Sequence, residues 1–254
     1  MDQSTATPPS PARRPAVRQR WHEYTALQHR TWETLYRARM ETLRSTAASA
    51  VLRGIERVGL APDRIPDLRE VNRRLEPHTG WRAVPIAGFE PAKRFFRSLA
   101  ARRFPTTITI RPADRLDYVP EPDIFHDVFG HVPLHSDPEF ADFLAGFGAL
   151  ASRARAPETI EALARLFWFT IEFGLIDEGG RTRIYGSGLV SSAADAANAL
   201  GPAAVRLPFD LDRVLREPFA IDRLQSVLFV IDSFAALDAA LARCRRLFPE
   251  TRSV

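Results

Sequence analysis

Cysteine is almost absent from this chain: Cys244 is the only one among 254 residues. A single thiol can form no internal disulfide and cannot build a metal site from several thiolates. The chain also lacks a run of about 18 uninterrupted apolar residues, and its N-terminal stretch lacks the apolar segment of a secretory signal. We therefore expect a cytoplasmic protein without a membrane partner, in which Cys244 is simply packed.

Lysine is equally scarce, and the charge is unevenly placed. Lys93 is the only lysine, so arginine supplies 34 of the 35 basic side chains. Residues 1–20 hold four arginines and one acidic residue, which leaves 31 basic and 30 acidic side chains in the rest of the chain, a net charge of +1. This balance argues against a nucleic-acid partner.

Residues 1–20 are rich in proline, serine, threonine and alanine. Such a composition cannot bury enough apolar surface to offset the entropy of ordering it, so we expect a disordered tail. The segment is rich in arginine and poor in acids, as transit peptides are, but it has no clear amphipathic pattern. Hydrophobic residues make up 45% of the chain, enough for one folded domain over residues 21–254.

Apolar residues recur at helical spacing through most of the chain, and only TTITIR at 106–111 alternates clearly as a strand does. Residues 79–89 have the proline and glycine of an extended loop, 183–188 indicate a short strand and turn, and 226–232 fit a buried strand or a helix. The sequence predicts a mainly α-helical single domain with small strand pieces. Helices are expected at 23–59 as one helix or two, 63–75, 91–102, 123–131, 138–155, 157–174, 211–217 and 235–248.

Two histidines, His126 and His131, lie five residues apart in the stretch 111–140. Neutral imidazoles are ligands for iron, zinc or copper, although two histidines can also be hydrogen bonded in an ordinary core. In a regular α-helix they would point about 140° apart. We expect Gly130, in the left-handed conformation that ends helices, and Pro133 to bend the chain so that both imidazoles reach one metal.

His135 follows His131 by four residues, the spacing of helical zinc motifs, but Pro133 lies between them. We therefore expect His135 to be an exposed residue that binds no metal. Neither H-E-x-x-H nor H-x-x-E-H is present, which argues against a zinc peptidase.

A third ligand is expected at Glu172, inside the apolar segment ARLFWFTIEFGL at 164–175. An unpaired buried carboxylate is very unfavourable, and binding a metal removes that penalty. Two histidines and one carboxylate leave open positions on the metal, as in non-haem Fe(II) oxygenases. The residues alone thus indicate a metal site without deciding the metal.

Three segments occur together in this chain: DYVPEPDIFHDVFGHVPL, FWFTIEFGLI and RIYGSGLVSS. The first places the histidines inside E-P-D-x-x-H-x-x-x-G-H-x-P, and Glu172 follows His131 by 41 residues. These segments resemble the catalytic core of the tetrahydropterin-dependent aromatic amino acid hydroxylases, and bacterial phenylalanine 4-hydroxylases most of all. The resemblance extends from about Tyr24 to Phe234. It implies a mostly helical catalytic domain in which His126, His131 and Glu172 bind iron.

The resemblance also implies roles for further residues. Arg111 matches an arginine that pairs with the substrate α-carboxylate, Asp123 the carboxylate that holds this arginine, and Ser191 a serine that steadies a ligand histidine. Other matches border the amino acid or the pterin. The matches beside the amino acid are Val119, Trp168 and Phe173. Phe95 matches the residue that stacks on the pterin. The other matches near the pterin are Asp127, Ser192 and the loop 86–88 with Ile86 and Gly88.

Four positions depart from the family pattern. Asp127 stands where glutamate is common, Phe167 replaces a tyrosine, Glu90 occupies a position that is often apolar, and Val119 one that is often Thr or Leu. These differences leave the chemistry intact and bear on substrate preference.

The resemblance implies an Fe(II)- and tetrahydropterin-dependent monooxygenase that uses O2 to convert the small-molecule substrate L-phenylalanine to L-tyrosine, with two electrons from the pterin. The alternatives are a sister hydroxylase acting on tryptophan or at the meta carbon of phenylalanine, a zinc hydrolase, and a non-catalytic metal or pterin binder. Neither end of the chain has room for a regulatory domain or a tetramerisation helix, so we expect an unregulated monomer. A pterin-recycling dehydratase would act downstream on its pterin product.

Overall fold

A computed structural model describes residues 17–88, 90–116 and 122–251. The prediction of a mainly α-helical fold with small strand pieces is confirmed. Three short 3₁₀ turns, Trp21–Glu23, Val132–Ser136 and Pro249–Thr251, complete the regular structure, together with two π-helical segments, Phe125–His131 and Trp168–Glu172. The α-helices are α1 Ala26–Thr46, α2 Ser49–Val58, α3 Leu68–Thr79, α4 Ala92–Ala100, α5 Pro138–Ala151, α6 Pro157–Phe167, α7 Ser187–Ser191, α8 Ala193–Leu200, α9 Leu211–Val214 and α10 Phe234–Leu247.

The predicted helical stretch 23–59 is two helices, α1 and α2. The start of α1 is fixed by a capping box, in which the Thr25 hydroxyl accepts from the Gln28 backbone and the Gln28 side chain accepts from the Thr25 backbone. Helix α2 ends where Gly59 adopts the left-handed conformation with φ 71°.

The helix predicted at 63–75 begins and ends later, because its caps lie elsewhere. The Asp67 carboxylate accepts from the Arg69 backbone and starts α3, and Gly80 with φ 74° ends it. Pro77 lies in the last turn of this helix without ending it. The tail predicted at 1–20 lies mostly outside the described residues; near its end, the Gln19 side chain accepts from the Leu68 backbone and donates to the Pro66 carbonyl.

The strand predicted at 106–111 is displaced, and the loop predicted at 79–89 contains a strand. Strand β1, Arg82–Ile86, pairs in parallel with β2, Arg103–Thr107, and Ile86 lies opposite Thr107. Both strands contain a proline, which this two-stranded sheet tolerates because each strand has a free edge. After Thr107 the chain leaves the sheet, and the Thr109 carbonyl accepts from the Ile124 backbone.

A second sheet of four strands has the order β4-β3-β6-β5. Residues 226–232, which fitted a strand or a helix, contain strand β6, and the strand expected at 183–188 is β4, followed by helix α7. Strands β3 and β5 and helices α7 and α8 were not predicted. The strands are β3 Leu175–Asp177, β4 Thr182–Ile184, β5 Val205–Pro208 and β6 Val227–Ile231.

The first π-helical segment is anchored in the aromatic core. Phe125 and Phe129 stack on each other with ring centroids 4.7 Å apart, and Trp32 of α1 packs edge-on against Phe125 at 5.3 Å. All three side chains are fully buried. Cys244 is also buried, as expected. None of the helices in the described part of the chain is both long and apolar enough to cross a membrane.

Candidate metal centre

Three side chains predicted to bind a metal converge in the structure. Nε2 of His126 lies 3.2 Å from Nε2 of His131, which lies 3.3 Å from Oε1 of Glu172. Oε2 of Glu172 lies 3.7 Å from Nε2 of His126. All three side chains are largely buried, with 21% of His126, 4% of His131 and 14% of Glu172 exposed. Among the described residues, these three side chains form a group that could bind a metal ion.

The two histidines meet because the helix that carries them is π-helical. In a π-helix, hydrogen bonds join residues five apart, so His131 lies almost above His126 on the same face. Convergence of the imidazoles was predicted, but its expected cause was wrong: Gly130 is not in the left-handed conformation, and the helix does not end there.

Gly130 has a different function in the packing. A Cβ atom at this position would lie 2.8 Å from the Ser187 carbonyl oxygen, closer than such atoms approach. The absent side chain lets the first π-helical segment press against the backbone of α7. Glycine is thus needed for close approach of two backbones.

Glu172 is the last residue of the second π-helical segment. The Ser187 hydroxyl donates to Oε2 of Glu172 over 2.7 Å. Burial alone would raise the pKa of Glu172, but the His131 and His126 imidazoles and the Ser187 hydroxyl together lower it to about 2. The carboxylate is therefore ionised at neutral pH, the form in which it binds a metal.

Ser191 determines which nitrogen of His126 carries the proton. Its hydroxyl donates to the Ser187 carbonyl over 2.9 Å and lies 2.9 Å from Nδ1 of His126. Because the hydroxyl proton of Ser191 is donated to the Ser187 carbonyl, Nδ1–H of His126 must be the donor to Ser191. Nε2 of His126 then keeps its lone pair. Burial also lowers the pKa of His126 and favours the neutral ring. Such a partner on the far nitrogen is typical of metal-binding histidines.

The donor set fits a divalent transition metal such as iron. Metal–nitrogen and metal–oxygen bonds are about 2.0–2.2 Å long, and donor atoms 3.2 to 3.7 Å apart can all reach one ion at that distance. Two imidazoles and one carboxylate are the protein ligands of non-haem iron oxygenases, which leave coordination positions open.

Arg111 and Asp123 form a buried, two-pronged ion pair beside this centre. Nε and Nη2 of Arg111 donate to the two carboxylate oxygens over 2.8 Å each. Burial would raise the pKa of Asp123, but its bonds with Arg111 outweigh burial and lower it. Asp123 also accepts from the His126 backbone over 3.0 Å. One carboxylate thus holds the arginine and the start of the histidine-bearing segment.

Asp127 connects the same segment to the two-stranded sheet. Its carboxylate accepts from the Thr107 backbone over 2.7 Å, and Thr107 is the register partner of Ile86. Burial raises the pKa of Asp127. The end of β1 and the first π-helical segment are therefore joined through a single residue of β2.

Aromatic rings contact His131 directly and also pack against Phe173, the residue after Glu172. The Trp168 ring packs against Phe173 at 4.7 Å and stacks on Phe219 at 4.8 Å. Phe104 packs on His131 at 4.7 Å, and Phe95 contacts Phe104 edge-on at 6.1 Å. The second contact places Phe95 one ring away from a ligand histidine.

Three predicted site residues are not joined to the ligand cluster by described contacts. Gly88, with φ 155°, follows the end of β1. Ser192 accepts from the Asp195 backbone and caps α8. Val119 lies outside the described residues.

The expectation that His135 is exposed is wrong. His135 is fully buried, with its ring stacked on Trp81 at 4.7 Å and packed against Phe104 at 4.9 Å. Neither ring nitrogen has a hydrogen-bond partner among the described residues. Pro133 excluded a regular helix, but it did not turn the following residues outward, because Val132–Ser136 continues as a buried 3₁₀ turn.

Two residues that contribute to the site were missed from the sequence. Ser187 precedes Ser191 by four residues, so both project from one face of α7, and that spacing is visible in YGSGLVSS. Phe219 closes the aromatic cluster with Trp168 from a segment without regular structure. No local pattern marks it.

Comparison with known proteins agrees with this geometry. The sequence model of the biopterin-dependent aromatic amino acid hydroxylases matches residues 18–249. Phenylalanine-4-hydroxylase of Caulobacter vibrioides is 43% identical over 238 residues, which cover 92% of this chain and 81% of that protein. A crystal structure of Chromobacterium violaceum phenylalanine hydroxylase with bound iron(III) and oxidised cofactor 7,8-dihydrobiopterin has a TM-score of 0.87 at 41% identity, covering 92% of this chain and 86% of that chain. A structure of the same enzyme with iron and phenylalanine bound has a TM-score of 0.84 at 37% identity, covering 94% and 91%.

Proposed function

The chain belongs to the family of biopterin-dependent aromatic amino acid hydroxylases, and we propose that it is an iron-dependent monooxygenase that hydroxylates L-phenylalanine to L-tyrosine with a tetrahydropterin and O2. The convergence of His126, His131 and Glu172 within 4.8 Å of one another carries this proposal. These three residues hold the iron, and the open side of the metal centre receives the reactants.

Arg111 binds the α-carboxylate of the amino acid in this proposal. Its bonds to Asp123 and to the Leu116 carbonyl use three of its five N–H groups, so two remain for another acceptor. A planar guanidinium that is already oriented by a carboxylate suits two-pronged binding of a second carboxylate. The aromatic ring of the amino acid would then lie towards Trp168 and Phe173, with Val119 beside it.

The pterin is proposed to stack on Phe95. This ring is half-buried and is fixed edge-on by Phe96, Phe104 and Phe167, so part of its surface stays open to a flat heterocycle. Four further residues are proposed to border the pterin: Ile86, Gly88, Asp127 and Ser192.

The bound iron and tetrahydropterin supply the activation of O2 and the two electrons that reduce its second oxygen atom. The protein itself contributes orientation of the reactants and proposed ligand side chains that are largely buried. Ser191 keeps Nε2 of His126 free to bind, Ser187 holds the Glu172 carboxylate, and Asp123 holds Arg111. These contacts orient the side chains that would bind the metal.

The deciding experiment incubates purified protein with Fe(II), a tetrahydropterin, O2 and phenylalanine and measures tyrosine formation. Glu172→Ala and His126→Ala should abolish both metal binding and turnover. Full activity in either variant would overturn the ligand assignment. Arg37→Ala, which removes an exposed arginine paired with Glu33, is a control that should retain activity.

Product analysis with phenylalanine, tryptophan and tyrosine as substrates separates the proposed reaction from its neighbours. The expected product is para-hydroxylated phenylalanine. Hydroxytryptophan or meta-tyrosine as the main product would identify a sister hydroxylase instead. Bound zinc without pterin-dependent oxygen uptake would indicate a hydrolase, and bound iron or pterin without turnover a binding protein.

We further propose that the protein acts as a monomer in a reducing, cytoplasmic compartment, where the unpaired and buried Cys244 stays a thiol. A dehydratase that recycles the oxidised pterin is the proposed downstream partner. Sedimentation of the purified protein tests the monomer, and faster sustained turnover on adding such a dehydratase tests the partner.

A further inference from the structure

Arg39 is a buried cation in the middle of helix α1, and it lacks an anionic partner in the described part of the chain. Only 4% of the residue is exposed, and no carboxylate among residues 17–88, 90–116 and 122–251 forms an ion pair with it. Burial lowers the pKa of Arg39 to about 10, so the guanidinium stays charged at neutral pH. A buried charge is unfavourable unless its donors are well used.

The donors of Arg39 are used on helix α7, about 150 residues further along the chain. Nε donates to the Val190 carbonyl and Nη2 to the Leu189 carbonyl, each over 2.9 Å. The remaining nitrogen, Nη1, donates to Thr42 in the next turn of α1. The last carbonyls of a helix have no partner within it, and a cation is the favoured group at that end.

Two side chains of helix α7 form hydrogen bonds with two of the three proposed metal ligands. Ser187 at its start donates to Glu172, and Ser191 at its end accepts from His126. The helix has only five residues, so its own hydrogen bonds cannot define its position. Its position therefore depends on contacts with other elements. Arg39 donates to the carbonyls of Leu189 and Val190, which lie between the two serines.

We infer that Arg39 is a positioning residue of the metal centre, which fixes α7 so that Ser187 and Ser191 hold Glu172 and His126 in the geometry that binds the metal. This inference rests on the proposed ligand set. The hydrogen bonds of Arg39 reach only α7 and the next turn of α1, so it should govern how tightly and with what geometry the metal is held, with little influence on amino acid binding.

The test measures binding of Fe(II), and of Co(II) as a spectroscopic probe, to the wild type and to Arg39→Met, which keeps the apolar length of the side chain but loses the donors. Loss of a group that orients metal ligands weakens affinity by about 10–100-fold, so this decrease is expected for Arg39→Met. The Co(II) absorption bands should shift and kcat at saturating metal should fall. KM for phenylalanine should stay within about twofold.

Arg39→Lys should restore part of the affinity, because an ammonium can donate to one of the two carbonyls but lacks the planar fork. Thr42→Val removes only the contact within α1 and should bind metal as the wild type does. Leu241→Ala, in α10, is a control for general destabilisation: it should lower the melting temperature and leave the metal affinity unchanged.

Equal affinity and an identical Co(II) spectrum in folded Arg39→Met would overturn the inference. Failure of the wild type to bind metal would instead overturn the proposed function. If neither Arg39 variant folds, hydrogen exchange of the wild-type protein tests the inference. Coupling between the metal centre and Arg39 is reciprocal, so metal loading should slow hydrogen exchange at Nε–H of Arg39. An unchanged exchange rate would count against the role of Arg39.

Discussion

The guanidinium of Arg111 and the carboxylate of Asp123 form an ion pair in which both side chains are only 6% exposed. Because Asp123 also accepts from the His126 backbone, the residue proposed to bind the substrate carboxylate is coupled through one side chain to the start of the metal-binding segment. Asp123 therefore joins the proposed amino acid site to the proposed metal site.

Arg111→Ala should impair substrate binding far more than the chemical step. Losing hydrogen bonds to a charged group costs about 1.5–3 kcal/mol, so KM for phenylalanine should rise about 10–100-fold with a smaller change in kcat. The buried Asp123 would lose its partner, and the free energy of unfolding should fall by about 3–5 kcal/mol. Steady-state kinetics and urea unfolding measure the two effects. An unchanged KM would argue against substrate binding by Arg111.

Ser187→Ala should weaken metal binding. The substitution removes the hydroxyl that donates to Glu172, and a hydrogen bond to a charged group contributes about 1.5–3 kcal/mol. We expect roughly tenfold weaker Fe(II) binding by titration, since the loss is partly offset by the metal itself. Ser152→Ala, which removes a hydroxyl bonded to the Ala149 carbonyl at the end of α5, is the matched control and should bind normally.

Gly130→Ala should separate the first π-helical segment from α7, because the added methyl group meets the rigid Ser187 backbone at 2.8 Å. Overpacking of this kind costs about 1–3 kcal/mol, and metal affinity should fall with stability. Gly146→Ala is a suitable control, since its methyl group meets only the side chains of Leu241 and Arg245, which can move. Equal metal affinity in the two alanine variants would contradict the packing explanation.

His135→Phe should stabilise the protein and weaken its sensitivity to acid. Burial, and then the nearby His131, lower the pKa of His135 well below its usual value. His135 is therefore protonated near pH 6.5 in the unfolded chain but stays neutral in the folded protein. The free energy of unfolding consequently falls as the pH drops below about 6.5, by up to about 1.4 kcal/mol per pH unit. His135→Phe should remove this part of the loss. Urea unfolding at pH 7.5 and 5.5 measures it, and the exposed His78→Phe should keep the wild-type difference.

Much of the site could be predicted from local features. His126 and His131 are close in sequence, and Glu172 is recognisable because a carboxylate in an apolar helix needs a charged or metallic partner. The single cysteine and the balanced charge of residues 21–254 were equally readable. Helices with strong periodicity were also predicted, although α3 is displaced because its start depends on the Asp67 cap and its end on Gly80.

The π-helical winding of Phe125–His131 could not be predicted, since the same residues also fit an α-helix that would separate the imidazoles. Strand β1 escaped prediction because its pairing partner, β2, is about twenty residues away and both strands contain proline. His135 is buried by Trp81 and Phe104, which come from distant segments.

The sequence by itself determined the mainly helical fold and which residues are candidate ligands, because residue type and periodicity are local properties. Only the tertiary structure decided how the ligands are held. Ser187, Ser191 and Arg39 act through contacts with residues up to 151 positions away, and such contacts form only when the whole chain has packed.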